Sequence, residues 1–253
     1  GYAGGIAAMD TKAQLKLSGK PIITGNTQPN ETQGDPDIAS NLWIGSNVSV
    51  ANILVTGNLD SGSSVGIFSG AEANQQFATI DTGVTLTNIN AFNNDKNQYK
   101  KVLIPEIRNT TDLYWSPEHP IAKIGADNKY DSLYDAFKAA TPNEKTVIDM
   151  LVSEYTVPAD EPNFYCSTIV SSDNLDITLQ PDTNVGPTCT IYASNITSVP
   201  FINIPSSCTH NVNLMFENIT LDGGGAERDA SKPFIDIQKA GSAIYLFNSK
   251  ICN

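Results

Sequence analysis

Histidine is nearly missing, with two residues in 253, and the four cysteines (Cys166, Cys189, Cys208 and Cys252) include no C-x-x-C pair. A structural zinc site needs four Cys or His ligands at close spacing, so zinc is not expected. Basic residues are also scarce: 15 Lys and Arg stand against 27 Asp and Glu, for a net charge of −12. Such a surface repels phosphate backbones, and no Lys/Arg cluster offers a local exception, so nucleic acid and anionic membranes are not expected partners. Long apolar runs are missing too. No stretch approaches the roughly 20 residues a membrane helix requires, so membrane insertion of this segment is not expected. The chain opens on Gly1 rather than Met and shows no secretory leader, and it reads as a mature protein or an excised piece.

What is abundant is Asn, Thr, Ser and Gly, the residues of turn-rich β structure. Two C-terminal segments resemble each other. Pro200-Phe201-Ile202-Asn203-Ile204 followed by Leu214-Met215-Phe216-Glu217-Asn218 and Leu221 is matched by Pro233-Phe234-Ile235-Asp236-Ile237 followed by Ile244-Tyr245-Leu246-Phe247-Asn248 and Ile251. Apolar residues alternate within each, as a strand with one buried face requires. Strands recurring at roughly 20–35 residues between variable polar loops are the signature of a solenoid. Asn218 and Asn248 fall just after matching strands, either as inward ladder asparagines or as ordinary turn residues. A third copy of the rhythm is Leu15-Lys16-Leu17-Ser18-Gly19 with Ile22 and Gly25-Asn26. If the chain repeated head to tail, Leu15 would follow Ile244 by 24 positions, again one coil.

Between these ends lie strand-rich segments: Leu42-Trp43-Ile44, Val48-Ser49-Val50, Ile53-Leu54-Val55 and Val65-Gly66-Ile67. Asn93 to Lys101 reads as a surface connection, and Trp115-Ser116-Pro117-Glu118-His119-Pro120 as a linker, because two prolines deny ladder pairing. One helix is expected, capped by Asp131 or by Ser132 with Asp135 and burying Leu133, Ala136, Phe137 and Ala140; Thr141-Pro142 ends it. Val147 to Val152 then reads as the first strand of a new solenoid, with the helix shielding its edge.

Gly4-Gly5-Ile6, Leu15-x-Leu17-Ser18-Gly19 and Ile22-Ile23-Thr24-Gly25-Asn26 resemble coils of bacterial right-handed β-helix surface proteins related to polymorphic-outer-membrane-type adhesins. Asn41-Leu42-Trp43-Ile44, Ile53 to Leu59 and Ser63 to Ile67 resemble the closing segment of such helices. Tyr130 to Phe137 resembles their opening cap, and Leu214 to Gly224 an early coil. The resemblance implies an adhesin or structural filament.

The expected fold is therefore all-β: right-handed parallel β-helix (β-solenoid) portions with one short capping α-helix. Residues 1–115 hold the C-terminal coils and closing β segment of one β-helix, and 116–253 the helix-capped start of a second. The expected function is a non-catalytic extracellular surface or filament protein, structural or adhesive, whose partners are copies of itself or adjoining repeats joined end to end. Tyr2, Ile6, Leu15 and Leu17 are the candidate junction residues at one end, with Leu246, Phe247, Ile251 and Cys252 at the other. Cys166, Cys189, Cys208 and Cys252 are an even set, open to two disulfides in three pairings or to buried free thiols. Spacings of 23 and 19 positions place Cys166, Cys189 and Cys208 about one coil apart.

Two other classes stand beside this reading. A glycan-binding adhesin would use exposed aromatics such as Tyr2, Trp43 and Trp115, although such residues more often fill a core. A β-helix polysaccharide lyase or glycosidase would need paired carboxylates, for which Asp222, Arg228, Asp229 and Asp236 around Gly223-Gly224-Gly225 are the candidates. An ordinary turn explains that loop better. It also lacks the Lys and Ser/Thr of a phosphate loop. His119 and His210 have no evident orienting partner, and no catalytic residue is assigned. No cofactor is expected; Asp35 and Asp37 or Asp173 and Asp176 could offer oxygen ligands to calcium, but without a D-x-D-x-D-G loop they read as solvated acids. Sequons occur at Asn30, Asn47, Asn109, Asn195 and Asn218.

Overall fold

The structure, a computed structural model, describes residues 5–8, 14–29, 37–44, 53–68, 73–95, 102–158, 161, 164–165, 174–193, 200–224 and 233–252. It is mostly β and divides into two compact units, Gly1–Glu118 and His119–Asn253. Tyr2, Val48-Ser49-Val50, Cys166 and the sequons at Asn30, Asn47 and Asn195 lie outside the described residues.

Unit 1 holds β1 (Ile6–Ala8), β2 (Leu15–Gly19), β3 (Ile22–Ile23), β4 (Thr27–Gln28), β5 (Ile38–Ala39), β6 (Leu42–Ile44), β7 (Ile53–Leu59), β8 (Ser64–Ile67), β9 (Gln76–Ile80), β10 (Phe92–Asn94), β11 (Leu103–Arg108) and β12 (Asp112–Pro117). Three parallel pairings repeat in rotation: β1 with β6, β2 with β7 and then β9, and β3 with β8 and then β10. Successive rungs are separated by 38 residues (Leu15 to Ile53) and 25 (Ile53 to Ala78). The largest sheet then changes direction. β12 lies antiparallel on β9, and β11 antiparallel on β12, so the order is β11-β12-β9-β7-β2. Inside, Trp115 stacks on Phe77 at 4.3 Å, and Phe77 meets Phe92 edge-on at 5.2 Å. All three rings are 2% exposed or less, which makes them the centre of this core.

The expected linker is therefore corrected in part. Trp115, Ser116 and Pro117 are buried residues of β12, and Pro117, at the strand's last position, pairs with Leu103. A proline at a strand end or on a sheet's flank does not break the ladder as an interior one does. The expected surface connection from Asn93 is corrected likewise, since Phe92–Asn94 is a strand and both Asn94 and Asp95 are buried.

Unit 2 holds β13 (Ala122–Ile124), β14 (Asn128–Tyr130), α1 (Leu133–Lys138), β15 (Lys145–Met150), β16 (Glu154–Thr156), β17 (Phe164–Tyr165), β18 (Leu175–Pro181), β19 (Cys189–Tyr192), β20 (Ile202–Ile204), β21 (Val212–Glu217), β22 (Ile219–Asp222), β23 (Ile235–Ile237), β24 (Ala243–Phe247) and β25 (Lys250–Cys252). Here every third strand is a neighbour: β15-β18-β21-β24, β16-β19-β22-β25 and β17-β20-β23, all parallel. Leu214 and Ile244, which the sequence aligns, are Cα partners, as are Ile202 and Ile235. Val212, Leu214 and Phe216 point inward at 1% exposure or less, the alternation that a one-faced strand dictates. Phe201 and Phe234 stack one above the other at 5.5 Å.

The first strand of this ladder is covered. β13 lies antiparallel on the outer side of β15, with β14 beyond it, and α1 buries Leu133, Ala136 and Phe137 in the same core. Ser132 is the N-cap: its Oγ accepts the Asp135 N–H at 3.0 Å. Among the described residues no helix is long and apolar enough to cross a membrane.

Candidate functional site: the open ladder edges

Each unit ends differently on its two sides. In unit 1 the outer strand beyond β12 is β11, which carries Pro105, Glu106 and Arg108, features that blunt an edge against further pairing. In unit 2 the covered side ends in the three-residue β14. Among the described residues no strand covers the opposite sides. β24 is the last strand of its sheet and β2 the last of its own.

The edge of β24 shows what a missing neighbour does. Phe216 and its rung partner Leu246 occupy the same inward position, yet Phe216 is 1% exposed and Leu246 47%. Tyr245 (54%), Phe247 (55%), Ile251 (41%) and Ile237 extend the apolar strip over all three faces. The last coil is itself well held. Ser242 Oγ accepts the Val212 N–H at 2.9 Å, and Ser249 Oγ accepts the Ile219 N–H at 2.9 Å and bonds to the Phe216 carbonyl at 2.8 Å. Asn218 (φ 57) and Asn248 (φ 49) are left-handed corner residues following β21 and β24, conformations Asn tolerates better than most side chains. On unit 1's open side, Ile6 and Ile22 are exposed, Leu15 is half-buried and Leu17 is buried in its own core. Cys252 is a half-buried free thiol on β25.

Of the alternatives left open for the cysteines, the structure has both a disulfide and free thiols. Cys208 is disulfide-bonded, whereas Cys189 and Cys252 are free. The rungs of unit 2 repeat at 31, 37 and 30 residues, longer than the cysteine spacings of 23 and 19. Cys189 therefore sits opposite Ile219 and Cys252 opposite Asp222. Burial, helped by the Glu154 charge, pushes the Cys189 thiol up to about 11 and leaves it a packing residue.

The described residues weighed for chemistry are not brought together. Asp222 accepts the Gly224 N–H at 2.9 Å and Asp236 accepts Gln238 Nε2 at 2.9 Å, so each serves its own turn, on separate sheets. Arg228, Asp229, Asp35 and Asp173 lie outside the described residues, and Asp37 and Asp176 are exposed. His210 is buried beside the Cys208 sulfur, with Nε2 at 3.5 Å, and His119 is exposed. No three His, Cys, Asp or Glu among the described residues cluster as a metal site. Trp115 is wholly buried, and Trp43 lies against Phe68 at 5.2 Å.

One polar cluster escaped sequence reasoning. The buried Asp95 carboxylate accepts the Asn41 backbone N–H at 2.9 Å and its Nδ2 at 2.9 and 3.0 Å. Asn41 Oδ1 in turn accepts the Asn26 N–H at 2.8 Å, giving a hydrogen-bonded ladder through the corners of unit 1. Burial raises the Asp95 carboxyl above its ordinary 3.8, outweighing the Asn41 donors that lower it. A carboxyl raised on folding stabilises most below its unfolded value, and that contribution fades as pH climbs through the folded one. Asp95→Asn should therefore gain stability relative to the parent as pH rises from about 3 to about 7. Thermal melts of unit 1 at both ends of that range check this; parallel pH profiles would contradict it.

No known protein family, curated protein or solved structure matches the chain.

Proposed function

We propose that this chain is a non-catalytic building block of an extracellular surface or filament protein, structural or adhesive. In this reading its two units are right-handed parallel β-helix (β-solenoid) segments that join end to end. The observation that carries it is the asymmetry of the edges. Among the described residues, one side of each unit is closed by antiparallel strands, while the other ends on a parallel rung with no further strand on it, bearing exposed Leu246 and Ile251 in unit 2 and Ile6 in unit 1. Strand edges of this kind favour pairing with another chain unless the protein blunts them. A heterologous contact of unlike ends propagates as a filament rather than closing into a dimer. The rotation of strands through three parallel sheets supports the solenoid assignment, since each coil cannot bury its apolar face alone. The disulfide at Cys208 supports an oxidising compartment, as expected outside the cell.

The test compares two charge insertions. Leu246→Arg places a cation at the inward position of the open edge and should abolish self-association in sedimentation velocity. Ile107→Arg, at an exposed position of β11 on the closed side, should leave it unchanged. Equal behaviour of the two variants counts against the reading.

A further inference from the structure

Resting on that reading, we propose that the open end of unit 2 is completed by the first three strands of a second copy of this sequence. Its β1 would lie over β23, its β2 over β24 and its β3 over β25.

The strand rotation points to this match. The described coils of unit 2 run β15-β16-β17, β18-β19-β20 and β21-β22-β23, then β24-β25, so the next position is a strand over β23. Unit 1 supplies a strand of that kind. β1 pairs β6 just as β2 pairs β7 and β3 pairs β8, so β1 stands one position ahead of β2 in the same rotation. A second copy would thus offer its strands in the order the open end calls for.

The inward faces agree as well. Ile235 and Ile237 are rung partners of the buried Ile202 and Ile204, while Ile6 is the partner of the fully buried Leu42. Aligning Ile235 with Ile6 places Ala8 over Ile237. Ile244 and Leu246 continue the buried Leu214 and Phe216, while Leu15 and Leu17 continue Ile53 and Val55, both 0% exposed. Aligning Leu246 with Leu17 also superposes the two left-handed corners, Asn248 (φ 49) and Gly19 (φ 68), each two residues further on. Ile251 continues the buried Leu221, and Ile23 the buried Val65. From Leu17 to Ile23 is one residue more than from Leu246 to Ile251, and the extra residue falls in the connection between Gly19 and Ile22 that joins β2 to β3. In this register Lys250 faces Ile22 and Tyr245 faces Lys16, so no like charges oppose each other.

The register makes Thr24, an exposed residue, the neighbour of the native thiol Cys252. Adjacent strands hold Cα atoms about 4.8 Å apart, within disulfide reach, whereas a partner two residues off stands at about 8 Å, beyond it. The experiment mixes isotopically light and heavy preparations of full-length Thr24→Cys, oxidises them mildly and maps linked peptides by mass spectrometry. Ile22→Cys, two positions away on the same outward face, is treated identically. The expected result is a light–heavy link between position 24 and Cys252, at least roughly tenfold more abundant than any link from position 22. A link confined to single copies, or none, overturns the proposal. Sedimentation of the same samples separates the failures: assembly without the link refutes this docking alone, and absence of assembly refutes the end-to-end reading with it.

Discussion

Trp115→Ala should destabilise unit 1 by about 3–5 kcal/mol, the range for truncating a large core aromatic. The ring is fully buried and stacks on Phe77, which in turn meets Phe92, so its loss leaves a cavity beside these rings. Hydrogen exchange by mass spectrometry should show faster exchange in peptides of β7, β9 and β12, with β18 and β21 unaffected. Trp115→Phe should recover most of the loss, because Trp115 Nε1 is buried without a hydrogen-bond partner and its removal forfeits no bond. Equal damage from the two substitutions, or none from either, would show that the stack does not organise this core.

Gly66→Ala should destabilise unit 1 by about 1–3 kcal/mol through overpacking. A Cβ at position 66 would lie 2.4 Å from both Asn41 Nδ2 and Asp95 Oδ1. Neither atom is the loose end of a flexible side chain: each is held by the buried hydrogen bonds that join the pair. Relief would require breaking those bonds and leaving a buried carboxylate short of donors. Gly25→Ala meets no atom within 4 Å but carries a φ of +77, so its cost is limited to backbone strain. Chemical denaturation of both variants checks the ordering; a smaller loss for Gly66→Ala than for Gly25→Ala would contradict it.

Much of this architecture is legible in the residues, for physical reasons. Val212, Leu214 and Phe216 announce a strand because the pleat forces alternate side chains to one face. Ser132 announces α1 because a helix start needs an acceptor for its unpaired N–H groups. Coil length is less legible. Rungs repeat at anything from 25 to 38 residues, because loop length costs little entropy, so the cysteine spacings gave false neighbours. Trp115 and Pro117 read as linker because a proline's position within a strand is invisible until the pairing is known. The Asn41–Asp95 contact spans 54 residues, and a contact of that range leaves no periodic trace. At the candidate site, the apolar character of Leu246, Phe247 and Ile251 was readable, but their exposure at a ladder end was not.

The most direct test of end-to-end joining is negative-stain electron microscopy of the full chain over a rising concentration series. The account predicts rods of constant width whose length grows with concentration. Compact particles of one size at every concentration would contradict it.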